Sequence, residues 1–437
     1  MIKKSIHYIL IFFHILLSED YNLSIDRYNL NENPRNNPFS HLFGITVQFQ
    51  SDDNPETSGN GHFLNEESLD LTYINYPNIN RCDKDSELVI DLPPHNSEYF
   101  LLQMQSVKNY YDSISNGNIS FENVILENIY QLEHNMSYYA ISDQRIGMLF
   151  AEAIELASND IENYINQDDS INSIDEILFV VFHAGLGQEA SQDFDPTIYD
   201  IRSAYIDENM LIDVQQSEYW INDNNVVNGL VLPETLNWIF YDVIEDLFPN
   251  TFINENELEN LYCEIQIGMT GLFAHLLGYH FGFPVMSDVE TGNTRIGKFG
   301  LMDVGWSNQA GVIPPRPNPW TRSNSNENVL GWVNKIDKTE ELYTEEELDL
   351  DIRVVDETND DIVQFFISDS EYYLIENRSN RLEADGEYSN LSINEIINYY
   401  SSYEENYNIE DDDFVHLFDV IEYYSNLNGY NLFEIDP

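Results

Sequence analysis

Apolar runs and periodic stretches alternate along the first 300 residues, and they predict strands interleaved with helices. The segment Ile177-Leu-Phe-Val-Val-Phe182, entered from Glu176, has no polar position and reads as a buried strand. It runs into His183-Ala-Gly-Leu-Gly187, which reads as a loop at the strand's end. Phe43 to Phe49 and Ile119 to Leu126 read as two further strands. Asn96 to Ser113 has helical periodicity, with Tyr99, Leu102, Met104, Val107 and Tyr110 available for one broad face. Ser142 to Ser158 predicts a second helix, with Asp143 where the helix dipole favours an anion. Glu234 to Leu247 and Glu264 to Phe281 predict two more.

One of these helices has no solvent face. From Gly271 to Phe283 almost every position is apolar, so the helix is expected inside the protein. Gly282 is a natural stop and Pro284 cannot continue it. Ser287 to Trp332 is rich in turns and prolines and predicts extended, rigid loop. Past Trp332 the character changes. Asp349 to Val355, Ile362 to Ile367 and Glu371 to Glu376 read as strands of a small β module, followed by acidic sequence with helical patches near Ile393 to Tyr400 and Phe414 to Tyr423. There is no internal repeat.

Composition narrows the partners. The 437 residues include 18 basic and 78 acidic ones, a formal charge of -60. Nucleic acid and anionic membrane surfaces would be repelled. Such acidity fits a salty medium, where self-repulsion is screened, or binding of divalent cations. Two cysteines, Cys82 and Cys263, are too few for a disulfide scaffold, and pairing and free thiols stay open alternatives. Lys3 and Lys4 precede a mostly apolar stretch from Ile6 to Leu17, too short to span a bilayer and suited to a signal peptide ending near Ser18. Residues 1–18 are therefore expected to direct export, and 19–42, rich in Asn, to form a flexible lead-in.

The buried helix also carries the candidate chemistry. His275, Gly282 and Pro284 occupy the frame HxxxxxxGxP of a zinc-binding helix, HExxHxxGxP, in which two histidines at i and i+4 hold zinc and the Glu is the general base. Here Leu276 stands at the base position and Tyr279 at the second histidine. His280, five residues on from His275, is turned away by roughly 140°. Asp288, His183 and Glu264 could converge with His275 from elsewhere in the chain, though nothing in the sequence requires it. Asp193, Asp195 and Asp200 are calcium candidates, without the spacing of an EF-hand.

Several stretches occur in a family's order. They are Val47 to Phe49 with the Thr57 to Gly61 loop, Pro93 to His95, Asn109 to Tyr111, Phe182 to Gly185, Gly282 to Pro284, Gly297 to Met302, Trp320 to Arg322, Gly331–Trp332 and Tyr372 to Arg378. Through them, residues 43 to 380 resemble the immune inhibitor A-like secreted zinc metallopeptidases, metallopeptidase family six. The resemblance implies an α+β, zincin-like fold over 43–335, a mixed twisted sheet with helices, and a β-rich then acidic region over 336–437. It makes His275 the first zinc ligand and Met302 the methionine beneath the metal site. Val285 then stands where the pattern carries an acidic residue.

By that pattern the site is degenerate. Zinc hydrolysis needs three protein ligands and an open position, and a lone His275 cannot hold the metal. Leu276 cannot take a proton from water, which removes ~10²–10⁴ in rate. The expectation is an exported metallopeptidase-like protein without catalytic activity, engaging peptides or proteins in the inherited cleft. Two alternatives stay open: a zinc endopeptidase using His275, Asp288 and His183, and a calcium-stabilised adhesive module using Asp193, Asp195 and Asp200.

Overall fold

The computed structural model describes residues 39–64, 94–115, 117–168, 170–190, 197–207, 228–236, 267–287 and 294–324. It also describes strands at 338–340, 362–368 and 371–376 and short pieces at 88–89, 210–211, 220–221, 224–226, 238–239, 264–265 and 415–416. The signal-peptide stretch, both cysteines, Asp193, Asp195, Asp288, the strand expected at 349–355 and the helical patch at 393–400 lie outside these residues.

The fold is mixed α/β, built on a five-stranded mixed sheet. Strand β1 is His41–Gln48. Helix α1, Ser97–Ile114, carries the chain to strand β2, Glu122–Gln131. Helix α2, Asp143–Ile165, carries it back past β1 to strand β3, Ile177–Leu186. Strands β4, Ala204–Ile206, and β5, Gly229–Thr235, complete the sheet in the order β2-β1-β3-β5-β4. Pairs β1–β2, β1–β3 and β3–β5 are parallel, and only the edge strand β4 runs antiparallel, against β5.

Residue types account for this arrangement. Parallel neighbours need a long crossover, which α1 and α2 supply. Because the first crossover runs from β1 to one side and the second returns to the other, right-handed connections place α1 and α2 on opposite faces. The central strands are then covered twice, and β1 and β3 are buried along nearly their whole length. Asn96 caps α1 by accepting from the Tyr99 N–H, and Ser142 caps α2 by accepting from the Arg145 N–H.

Helix α3, Thr270–His280, packs against α1, β4 and β5. Phe273 on α3 and Phe100 on α1 both meet Phe182 of β3, with ring centroids 6.0 and 4.7 Å away. Helix α4, Pro319–Asn324, is short. Beyond it, β6 (Lys338–Glu340), β7 (Ile362–Ser368) and β8 (Glu371–Glu376) form a separate three-stranded sheet. The fully buried Arg322 of α4 pairs with Glu376 of β8, tying that sheet to the loop region.

Several expected elements differ. Glu234 does not open a helix: it lies in β5, which ends at Thr235, and Trp238–Ile239 is a short strand paired with Glu264–Ile265, while residues 240–247 of the expected helix lie outside the described residues. The apolar run from Gly229 places Glu234 in the main sheet beside β3, overriding the helical pattern read from Glu234 onward. The long apolar helix begins at Thr270, not Glu264. Strand β3 extends through His183, Ala184 and Gly185, which are strand and not loop. Val415–His416 is a short strand paired with Leu88–Val89, where a helix was expected. Phe39 sits in the core and His41 already belongs to β1, so the lead-in gives way to structure before residue 43.

Candidate functional site

All eleven residues of α3 are buried. Its end is set by Gly282, at φ +77°. The Gly282 N–H bonds the Tyr279 carbonyl at 3.0 Å and the Phe283 N–H bonds the Gly278 carbonyl at 2.9 Å. That pair is a Schellman motif, which only a residue tolerant of the left-handed region completes without strain. The 300–312 loop meets α3 with its backbone at Gly271 and with the Met302 side chain at Gly278. A Cβ on Gly271 would lie 1.8 Å from the Trp306 carbonyl oxygen, and one on Gly278 would lie 2.7 Å from Met302 Sδ.

His275 and Tyr279, one turn apart, share a face of this helix. Both are buried, at 4% and 3% exposure. His275 Nδ1 lies 2.8 Å from the Leu301 carbonyl oxygen, and its Nε2 lies 2.9 Å from the Tyr279 hydroxyl. A carbonyl only accepts, so Nδ1 carries the proton and Nε2 is the acceptor for the phenol. Burial lowers the imidazole pKa to about 4; the Leu301 hydrogen bond and the charge of Asp303 oppose this without cancelling it. The ring is neutral near pH 7. Tyr205 of the edge strand β4 approaches Tyr279, with ring centroids 6.4 Å apart.

The other positions of the motif are apolar and sealed. Leu276, at the base position, is fully buried in the core, as is Met302. Met302 lies directly beneath Gly278, and its carbonyl accepts from the Met286 N–H at 3.0 Å. Val285 is half-buried against the same core. One imidazole and one phenol do not match the three ligands and open position of a catalytic zinc. The ring nitrogen that a metal would use already has a hydrogen-bond donor.

The remaining candidates are placed elsewhere. Side chains alternate along a strand, so His183 projects from the face of β3 opposite to Phe182, which meets α3. His183 is buried, contacts the Ala184 carbonyl through Nδ1 at 2.9 Å and lies 5.8 Å from the Phe49 ring. Burial lowers its pKa to about 4. The sheet therefore separates His183 from His275. His280 packs edge-on against Phe39 at 5.2 Å. Glu264 belongs to the short strand paired with Ile239. Asp200, the described calcium candidate, is buried and accepts from the Ser58 N–H at 2.7 Å, pinning the Gly-rich 54–61 loop. Among the described residues no three His, Cys, Asp or Glu side chains form a group that could hold a metal ion.

Two polar groups went unread in the sequence. Asp303 is buried, and its Oδ2 accepts from the N–H groups of Arg295, Ile296 and Gly297 at 2.9, 2.8 and 3.0 Å. Its Oδ1 accepts from Val304 N–H at 2.9 Å. Glu234, at the carboxyl end of β5, pairs with His95 Nδ1 at 2.7 Å and accepts from Leu64 and Gly185 N–H at 2.7 and 2.9 Å. The Tyr99 hydroxyl donates to the Glu234 carbonyl, and its ring stacks on His95 at 4.3 Å. Glu234 thus gathers three segments, the loop ending at Leu64, the start of α1 and the end of β3, at the end of the sheet where parallel folds usually open a crevice. The signal available was His95 just before a helix cap; Glu234 was hidden by the helical reading of its segment.

No protein-family model matches the chain, and no curated protein matches it.

Proposed function

We propose that this chain is an exported, metallopeptidase-like protein of the immune inhibitor A type that no longer hydrolyses peptides and acts as a binding or structural relative of the active enzymes. The observation that carries the reading is the hydrogen bond between His275 Nε2 and the Tyr279 hydroxyl. It takes the ligand atom of the first histidine and puts a phenol where the second would stand. Leu276, buried in the core, leaves no carboxylate to activate water. Support for the scaffold comes from a mixed sheet with α3 packed against it and Met302 lying under that helix. The residues of the site hold protons in fixed positions, exclude water and join α3 to the 300–312 loop.

Metal analysis of the purified chain tests this, beside Tyr279→His and the Leu276→Glu, Tyr279→His double variant. The natural chain is expected to carry no stoichiometric zinc, and Tyr279→His to gain measurable affinity, because a second imidazole then shares the face of the first. Leu276→Glu places a carboxylate in the core, so Tyr279→His alone is the cleaner arm. One zinc per natural chain overturns the proposal and sends attention to unconventional ligands and a protease assay.

A further inference from the structure

We infer that Asp303 is a positioning residue: through its four backbone hydrogen bonds it fixes the Leu301 carbonyl against His275 and so sets which nitrogen of that imidazole carries the proton. The inference rests on reading α3 as a former metal-site helix, and it says that the outer support of that site has stayed in place while its ligands were replaced.

Residues 295–304 include the first of two short turns, Gly297–Phe299, and the start of the second, Val304–Ser307; short turns leave N–H groups without partners of their own. Asp303 sits between the turns and answers both. Oδ2 collects the N–H groups entering the first, and Oδ1 caps the second. With both ends held by one buried side chain, the residues between them have little freedom. Leu301 is among these, two residues before Asp303, and its carbonyl points at His275 Nδ1.

The carbonyl can only accept, so the Nδ1–H form of His275 is favoured and Nε2 is presented toward position 279. Metal-ligating histidines are oriented in this way, by donating the second ring N–H to a carbonyl or carboxylate. Here the same support directs Nε2 to a phenol. Tyr279 does not select the form, because a hydroxyl can donate or accept with equal ease. Removing the Tyr279 hydroxyl should leave the proton where it is, whereas removing Asp303 should release it.

Nitrogen NMR of the full chain labelled at histidine tests this, with the His275 signals assigned by their loss in His275→Gln. The natural chain is expected to show His275 in the Nδ1–H form, and Tyr279→Phe to retain it. In Asp303→Ala the preference for that form should fall about tenfold, the worth of roughly one net hydrogen bond. A natural chain with the proton on Nε2, or a folded Asp303→Ala with an unchanged ratio, overturns the inference. If Asp303→Ala does not fold, hydrogen exchange on the natural chain decides. The His275 ring proton and the Arg295, Ile296, Gly297 and Val304 amides should then exchange in one common opening, and independent exchange of the ring proton overturns it. Zinc content bears on the proposed function alone, so the two can fail separately.

Discussion

Acidification perturbs this fold through two buried neutral histidines. His183 and His275 each have a pKa lowered from 6.5 to about 4 by burial. The unfolded chain takes up a proton on each below 6.5, but the folded chain does so only near 4. Stability from the neutral rings is therefore complete above 6.5 and is lost as the pH falls toward 4. Over that interval each ring contributes a slope of about 1.4 kcal/mol per pH unit, or ~3 kcal/mol in all. Most carboxylates titrate below ~4.5, so between about pH 5 and 6.5 these two rings add a slope that ordinary carboxylates do not. Glu189, whose carboxyl pKa is raised by burial, acts in the opposite sense. Comparing two proteins that share Glu189 cancels it. The assay is urea unfolding of the natural chain and His275→Gln at about pH 5, 6 and 7 in constant high salt, which screens the large negative charge. His275→Gln should lower stability at pH 7 and reduce the slope by about 1 kcal/mol per pH unit. Equal slopes in the two proteins would refute the claim that His275 is buried and uncharged.

Three further substitutions test the packing around the site. Gly271→Ala drives a methyl into the Trp306 and Gly311 carbonyls and should cost more than ~3 kcal/mol, read as a large fall in unfolding midpoint or loss of soluble protein. Tyr111→Phe removes the hydroxyl that donates to the Ala274 carbonyl at 2.6 Å and should cost about 1–3 kcal/mol in urea unfolding; no loss would mean that water replaces it. Glu234→Gln breaks the buried pair with His95 and should cost about 3–5 kcal/mol, with hydrogen exchange rising first at the Leu64 and Gly185 amides. Uniform exchange would show that Glu234 does not gather those segments.

The main architecture was legible where burial and periodicity agree. The two central strands are apolar almost throughout, which is what burial on both faces demands. Helix α1 announced itself by periodicity and α2 by its span and by Asp143 at its start, where the helix dipole favours an anion; the Asn96 and Ser142 caps show only in the fold. The end of α3 was readable because Gly282 and Pro284 act locally. Its start was not: only the pairing of Glu264–Ile265 with Trp238–Ile239 shows that these two residues are extended and precede the helix. Strand β5 was missed for the same reason: its identity depends on β3 lying beside it. At the site, the His275–Tyr279 pair follows from the spacing of four. Leu301 does not, because its contribution is a backbone oxygen that any residue supplies. Asp303 is one of 78 acidic residues, and only the fold singles it out.

Gly271 and Gly278 stand seven residues apart, two turns along the same side of α3, and both abut the 300–312 loop. This spacing works as a gauge that sets how close the loop may come, independently of any ligand. A larger residue at Gly271 would meet the Trp306 and Gly311 carbonyls and lift the loop, whereas one at Gly278 would meet the Met302 side chain, which must give way. The seat of α3 is therefore fixed by backbone at Gly271 and by the Met302 side chain at Gly278, whatever stands at positions 275, 276 and 279.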